Sequence, residues 1–466
     1  MSSQKNNIRI GLEIHVPLNT KSKLFCSCST DLSDEPNKNT CPVCTGFPGT
    51  KPALNKKALE LAIRTCLALG CEISKGLIFS RKVYFYPDLP KSFQITQYEK
   101  PLGFDGRTEV NDKTVRIKRV QVEEDPASLK HPKGMGKSEY VLIDYNRCGV
   151  GLCEVVTEPD FISAKEARRF LEYIENILTY LQVYDSTRFS MRADLNISVG
   201  EHSRVEIKNV SGWAIAEKVL NFEIARQESN IRLGMISKFV ETKFVDEKGG
   251  LIEGGRKKES SEEYGYIFEP NLGQIELDDK FLENIKKNMP ELPQKRAERF
   301  VKEHKIDSAR ARSLVSELEL SDMFEKLCKY FEPNFVSMWL SIYLKKVLNY
   351  NSLKLKDSKI DFELMKKFLG LVVDEKVSKR GGDLLLRELV VKGGEPEVVA
   401  KRIGVLVFDD REIEKIILVI LDKEKKAAED RALDYLVGQV IKACKGACDP
   451  KKVRQILAER LKKEKK

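Results

Sequence analysis

The stretch Ile8-Arg-Ile-Gly-Leu-Glu-Ile-His-Val16 alternates, with Ile8, Ile10, Leu12, Ile14 and Val16 on one side and Arg9, Gly11, Glu13 and His15 on the other. A period of two is the mark of a half-buried strand, and it sets a carboxylate and an imidazole together on the polar face. The same alternation returns where Arg192, Asp194, Asn196 and Ser198 oppose Ala193, Leu195, Ile197 and Val199, and where Arg204, Glu206 and Lys208 oppose Val205 and Ile207. The Gly200-Glu-His-Ser203 link makes these two runs a hairpin. Helical punctuation lies between the strands. Asn55 caps a stripe of Leu59, Ala62, Ile63, Cys66 and Leu67 closed by Gly70, and Ser163-Ala-Lys-Glu166 is a capping box ahead of Ala167, Phe170, Leu171, Ile174, Ile177, Leu178 and Leu181. Beyond residue 290 the signals are helical, with Asp409-Asp-Arg-Glu412 and Asp449-Pro450 opening apolar stripes. The expected class is α+β, mixed at first and then almost wholly helical, with the change between Pro270 and Pro293.

A length of 466 residues suggests three domains at about 150 residues each. The longest aliphatic run, Ile416 to Leu421, is six residues, far below the ~20 of a spanning helix. The start, MSSQKNNIRIGLEIHV, lacks the order of a secretory signal, so the cytoplasm is the expected compartment. Lys and Arg number 81 against 71 Asp and Glu, a net +10, and the run Lys462 to Lys466 adds a basic end. That charge permits a polyanionic partner, and it equally suits a merely solvated surface.

Eleven cysteines, an odd number, do not read as a disulfide framework in a chain without a signal peptide. Cys26-Ser-Cys28 and Cys41-Pro-Val-Cys44 are separated by twelve residues. Four thiolates in two close pairs suit a closed, structural zinc site. Cys66, Cys71, Cys148, Cys153, Cys328, Cys444 and Cys448 show no such spacing and read as small core residues. Gly136-Lys137-Ser138 is not a phosphate loop, because His131 stands where its first glycine belongs.

Carboxylates carry a sharper signal. Glu123, Glu124 and Asp125 end the run VQVEED, and Glu154 interrupts the apolar strand Leu152 to Val156. A carboxylate inside an apolar strand is costly unless paired or bound to a cation. Several Glu with one His, here Glu13, His15, Glu123, Glu124 and Glu154, suit Mg²⁺ or Mn²⁺ and phosphoryl transfer; ordinary salt bridges give the same spacing. The mixed face Arg192, Asp194, Asn196, Arg204, Glu206 and Lys208 fits a ligand or a solvated sheet. Arg81-Lys82-Val-Tyr84-Phe-Tyr86-Pro-Asp88 could grip a nucleotide or an RNA end, or form a turn with buried tyrosines.

Taken together, IGLEIHVPL, TKSKLFCSCST, LNKKALELA, RKVYFYPDLPKSFQITQY, VEEDPASLKH, YVLIDYNRCGVGL, RADLNISV, RVEIKNV and LVGQVIKACKG resemble the B-subunit (GatB) family of aspartyl/glutamyl-tRNA amidotransferases. The match is dense over residues 8 to 210 and returns at Leu436 to Pro450. The resemblance implies an ATP-dependent ligase subunit that phosphorylates the side-chain carboxylate of Glu-tRNA(Gln) or Asp-tRNA(Asn). Ammonia from an amidase-type A subunit then displaces the phosphate, and a small C subunit clasps the two. Misacylated tRNA is the implied nucleic acid, with no DNA and no membrane. Glu13, His15, Glu124 and Glu154 match the family's magnesium positions, and Cys26, Cys28, Cys41 and Cys44 its zinc ligands. Lys82 and Glu123 or Glu124 match the mouth of the ammonia channel. Arg192, Asp194, Asn196, Arg204, Glu206 and Lys208 match the sheet that meets ATP or the tRNA 3′ end. The implied plan is a β-rich, cradle-shaped catalytic domain over 1–290, a helical domain over 291–405 and a tRNA-holding helical tail over 406–466.

Departures from the family pattern include Ser186-Thr-Arg188-Phe in place of an acidic, glycine-bearing stretch, and Ser308-Ala309-Arg310 in place of Tyr-Asp-Ala. They imply a divergent, archaeal-like member. Two alternatives share the motifs: a zinc-containing tRNA-binding subunit without catalysis, and the archaeal tRNA(Gln)-specific relative, whose large inserted domain 466 residues leave little room for.

Overall fold

The computed structural model describes residues 7–31, 33–110, 113–134, 138–245, 252–257, 265–406, 410–425, 427, 432–444, 448 and 450–463. The chain divides into two compact units, Met1–Leu292 and Pro293–Lys466. Asp409, Asp449, Gly136, Lys137 and the last three residues of the basic end, Glu464 to Lys466, lie outside the described residues.

The first unit is built on a nine-stranded sheet. From one edge its strands run Ile252–Lys257, Glu241–Val245, Val205–Val210, Arg192–Val199, Ile8–Pro17, Gly151–Thr157, Lys113–Glu124, Gly103–Val110 and Glu72–Ile73. Ile8–Pro17 is central, as its alternation requires: Ile10, Leu12, Ile14 and Val16 are at most 1% exposed, while Glu13 and His15 are only half-buried on the other face. Its neighbours on both sides are antiparallel. Among the described residues, only Val205–Val210 and Glu241–Val245 run parallel within the sheet, and the helix Trp213–Arg232 lies between them in the chain. A parallel pair needs such a crossover, which no tight turn supplies.

The helices begin where their caps stand. Asn55 accepts hydrogen bonds from the amides of Lys57 and Ala58 at the head of Lys56–Ala68, and Gly70 takes a positive φ of 66° just past its end. Ser163 accepts from the Glu166 amide at the start of Ala164–Tyr180. Glu166 returns the bond to the Ile162 amide, not to that of Ser163, because its carboxylate is drawn toward Lys113. The hairpin forms as expected, but Arg204 falls just before its second strand.

The second unit is helical over its described residues, and it holds two separate apolar clusters. One, from Ala297 to Val405, closes around Phe300, Phe324, Trp339 and Phe368; the other, from Ile413 to Leu457, joins Asp410–Lys423, Leu433–Ala443 and Pro450–Lys463. No helix among the described residues is long and apolar enough to cross a membrane.

Candidate active site

Strand register brings the polar face of Ile8–Pro17 into contact with its neighbours. His15 lies opposite Glu154 on one side and Arg192 on the other, and Glu13 lies opposite Asp194. Directly opposed residues share a face. The outcome is a cluster in which His15 Nε2 stands 3.8 Å from Glu13, 3.8 Å from Glu123 and 3.9 Å from Glu154. Thr96 donates to Glu123, and Gln121 donates to Glu154. The remaining Glu154 oxygen, Oε1, is buried without a hydrogen bond among the described residues, with Arg119 3.5 Å away.

Electrostatics here is dominated by surplus negative charge. Burial and then the Glu154 carboxylate push Glu13 up to about 7 against the pull of His15, and the same two causes push Glu123 up to about 7. Burial opposes the imidazolium of His15, but Asp194, Glu123, Glu154 and Glu13 outweigh it and raise the group to about 9. Four carboxylates around one imidazole form a place where a divalent cation relieves repulsion. Donor atoms of Glu13, His15 and Glu154 all lie within 4.8 Å of one another, and hard oxygen with one nitrogen fits Mg²⁺ or Mn²⁺.

The cluster forms part of the wall of a cavity of about 420 Å³. Of the residues expected to act, His15, Lys82, Glu123, Glu154, Arg192, Asp194 and Lys208 line it. Opposite signs meet within it: Lys208 lies 3.5 Å from Asp194, and it also lies 3.4 Å from Glu206 behind the lining. The Arg192 guanidinium makes no hydrogen bond or ion pair among the described residues, and burial together with Arg147 depresses its pKa. Two adjacent guanidinium groups in an enclosed space suit an anion such as a phosphate.

Several expected residues are placed elsewhere. Glu124 is not brought to the cluster: one residue along the strand from Glu123, it turns to the opposite face. There Lys91 grips both oxygens at 2.5 and 2.6 Å and the Ile95 amide donates at 2.9 Å. Arg204 is exposed outside the strand, and neither Asn196 nor Glu206 reaches the cavity lining. A β-bulge between Ala193 and Leu195 ends the simple alternation; Asp194 there accepts from the Asn209 amide, whose residue has φ 56°. Arg147 and Arg188 line the cavity, although nothing in their sequence context marks them as ligands. Arg147 stands just before Cys148-Gly149 and is oriented by Asp125 and the carbonyls of Pro126 and Ala127, while Arg188 sits in the divergent 186–189 stretch, held by Asn19, Thr30 and Asp31.

The sulfur atoms of Cys26, Cys28, Cys41 and Cys44 converge, all within 4.8 Å of one another. A tetrahedral ion at ~2.3 Å from each sulfur fits that spacing. Hydrogen bonding from Cys26 and the nearby Lys23 ammonium hold Cys44 down to about 4 despite burial, whereas the bond to Cys44 pushes the Cys26 thiol well up and burial pushes Cys28 up to about 11, so one sulfur is readily anionic and the others need a cation to become so.

The first unit thus carries a carboxylate–imidazole cluster in a cation-lined cavity together with a cysteine quartet, the equipment of a metal-assisted catalytic domain. A family model described as the GatB/GatE catalytic domain matches residues 8–283, and one described as the GatB domain matches 322–461. The chain belongs to the GatB family. It is 40% identical to the B subunit of the aspartyl/glutamyl-tRNA(Asn/Gln) amidotransferase of Methanosarcina barkeri, covering 98% of this chain and 99% of that relative. The B subunits of the same enzyme from Saccharolobus solfataricus and Persephonella marina are 40% and 38% identical, each over 97% of this chain and 99% of the relative.

Proposed function

We propose that this chain is the catalytic B subunit of a tRNA-dependent amidotransferase, acting in the cytoplasm with an amidase-type A subunit and a small C subunit. The side-chain carboxylate of Glu-tRNA(Gln), Asp-tRNA(Asn) or both attacks the γ-phosphorus of ATP, and ADP leaves. Ammonia from the A subunit adds to the acyl phosphate and expels inorganic phosphate, leaving the amide. A carboxylate is a poor electrophile, and phosphorylation supplies the leaving group it lacks.

One observation carries this reading: His15 and Glu154, with Glu13 converging on them from just outside the lining, face a cavity that also presents Arg192, Arg147 and Lys208. Glu13, His15 and Glu154, with Glu123 beside them, would hold a magnesium ion, which when bound neutralises phosphate charge during transfer. Arg192 and Arg147 hold the anion, and Lys82 faces the carboxylate cluster where ammonia would arrive. Cys26, Cys28, Cys41 and Cys44 hold a structural zinc with no open position for substrate. The catalytic domain is 1–290, with a helical domain over 291–405 and a tRNA-holding tail over 406–466. Each has its own apolar core. Near-complete coverage of relatives named as B subunits favours this over the relative with a large inserted domain.

The test is amide formation on radiolabelled Glu-tRNA(Gln) and Asp-tRNA(Asn), with ATP, Mg²⁺ and ammonium chloride, with and without the A subunit. Gln or Asn released on deacylation, dependent on ATP, supports the reading and names the tRNA. Bound tRNA without product under any condition leaves a non-catalytic tRNA-binding subunit instead.

A further inference from the structure

Lys23 is the odd residue in this unit: a lysine with 0% exposure, fully enclosed, whose only part so far is its charge beside Cys44. Its Nζ donates to Cys44 Sγ at 3.5 Å and to the Tyr145 carbonyl at 3.2 Å. A buried ammonium is retained only where anionic or strongly polar acceptors face it, and a tetrathiolate metal site is such a partner. The Tyr145 carbonyl belongs to the turn that carries Asp144, Asn146 and Arg147 into the cavity lining.

A second set of bonds ties the same turn to the cysteine loop from its exposed side. Asn37, between Cys28 and Cys41, accepts from the Tyr145 amide at 2.8 Å, and its own amide donates to Asp144 at 3.0 Å. Asn146 accepts from the Asn39 amide at 2.7 Å and donates to the Glu35 carbonyl at 2.8 Å. Close packing completes the join. Gly149 takes a φ of 85°, which favours glycine, and packs in ordinary contact against both: a Cβ there would lie 3.4 Å from Cys44 Cβ and 3.5 Å from Lys23 Cδ.

We propose that Lys23 is a positioning residue: by spanning Cys44 Sγ and the Tyr145 carbonyl, its ammonium locks the 144–149 wall of the cavity onto the four-cysteine site and so holds Arg147 in place for an anionic ligand. The cysteine quartet then serves the cavity directly, and is more than a staple for its own loop. The inference rests on the zinc and ATP readings above for its ligands, but its geometry stands apart from both.

The experiment uses the full chain as wild type, Lys23→Met and Asn37→Gly. Asn37 is exposed and has φ 60°, so glycine removes its side chain without backbone strain. Hydrogen exchange over 143–150 is compared with exchange over 164–180, and Mg-ATP affinity and zinc content are measured on the same samples. Both variants are expected to exchange about tenfold faster over 143–150 with 164–180 unchanged, and to bind Mg-ATP roughly fivefold more weakly. Wild-type exchange over 143–150 in Lys23→Met overturns the proposal, whatever Asn37→Gly shows. If Lys23→Met loses protection at 164–180 as well, it has unfolded, and Lys23→Gln, which removes the ammonium but keeps a polar side chain, decides by the same comparison. A wild type without zinc removes the zinc reading, and one that binds no Mg-ATP removes the ATP reading. In either case the exchange comparison still decides the role of Lys23.

Discussion

His15 and Glu154 face each other across adjacent antiparallel strands, with Nε2 3.9 Å from Oε2. Glu154 is 4% exposed in a strand whose other residues pack into the sheet, and His15, Arg119 and Gln121 face its carboxyl group. A neutral isostere keeps the shape and removes the charge that a divalent ion would need. Glu154→Gln is expected to lower ATP-dependent amide formation by at least about a hundredfold, the scale of losing one electrostatic contributor at a reacting centre, while tRNA retention stays at the wild-type level. Filter retention of tRNA beside the amide assay checks this; unchanged turnover removes Glu154 from the site.

The outline of that site was legible because strand periodicity is a local property. Glu13 and His15 follow from the alternation of nine residues, and the cysteine quartet from two short spacings. The choice between Glu123 and Glu124 was not legible, since adjacent residues differ only in which face they take, and register decides that: Glu123 lies opposite Leu152 and Glu124 opposite Gly151. Arg188 was hidden for another reason. Its partners Asn19, Thr30 and Asp31 are more than 150 residues away in sequence. The crossover helix Trp213–Arg232 also escaped notice, as it opens on Gly212 and so has no capping side chain to announce it.

The cysteine quartet predicts its own removal. Total zinc is expected near one per chain, and Cys41→Ser is expected to lose it, because three sulfurs and a hydroxyl hold the ion far less well. Proteolysis should then open the loop between Cys28 and Cys41 first. Elemental analysis and mass mapping of the cleavage sites measure both; a wild-type chain without zinc counts directly against the metal.

A separate charge network makes the first unit sensitive to acid, beside the likewise depressed carboxyls of Glu269 and Asp160. Glu223 is 0% exposed and accepts from Arg226 at 2.7 Å, Gln227 at 2.8 Å and Lys243 at 3.0 Å. Burial works against its charge, but these partners win and hold its pKa below the ordinary 4.5. A carboxyl depressed on folding adds stability that is complete above its unfolded value and is lost as pH falls through the lower folded value. Wild type should therefore lose stability steeply below about pH 4.5, and Glu223→Gln should flatten that slope while costing about 3 kcal/mol at pH 7. Urea midpoints across pH 7 to about 3.5 measure both effects; an identical slope in the variant places the acid sensitivity elsewhere.

Two glycines in the helical core of the second unit should respond to alanine with opposite sign. Gly382 lies in Lys379–Lys392, where a Cβ would stand 2.6 Å from Trp339 Cη2, and Trp339 is itself 1% exposed and packed edge-on against Phe368. Neither ring can retreat without opening the cluster, so Gly382→Ala is expected to cost about 1–3 kcal/mol. Gly370 lies in Phe362–Val373 with nothing within 4 Å of the same atom, and alanine there restricts the unfolded chain without a clash. Gly370→Ala should accordingly stabilise by about 0.5–1 kcal/mol. Trp339 reports on this core in urea titrations followed by fluorescence. A destabilised Gly370→Ala would mean that the helix face taken as open is covered, and a neutral Gly382→Ala would mean that the Trp339 ring moves aside at little cost.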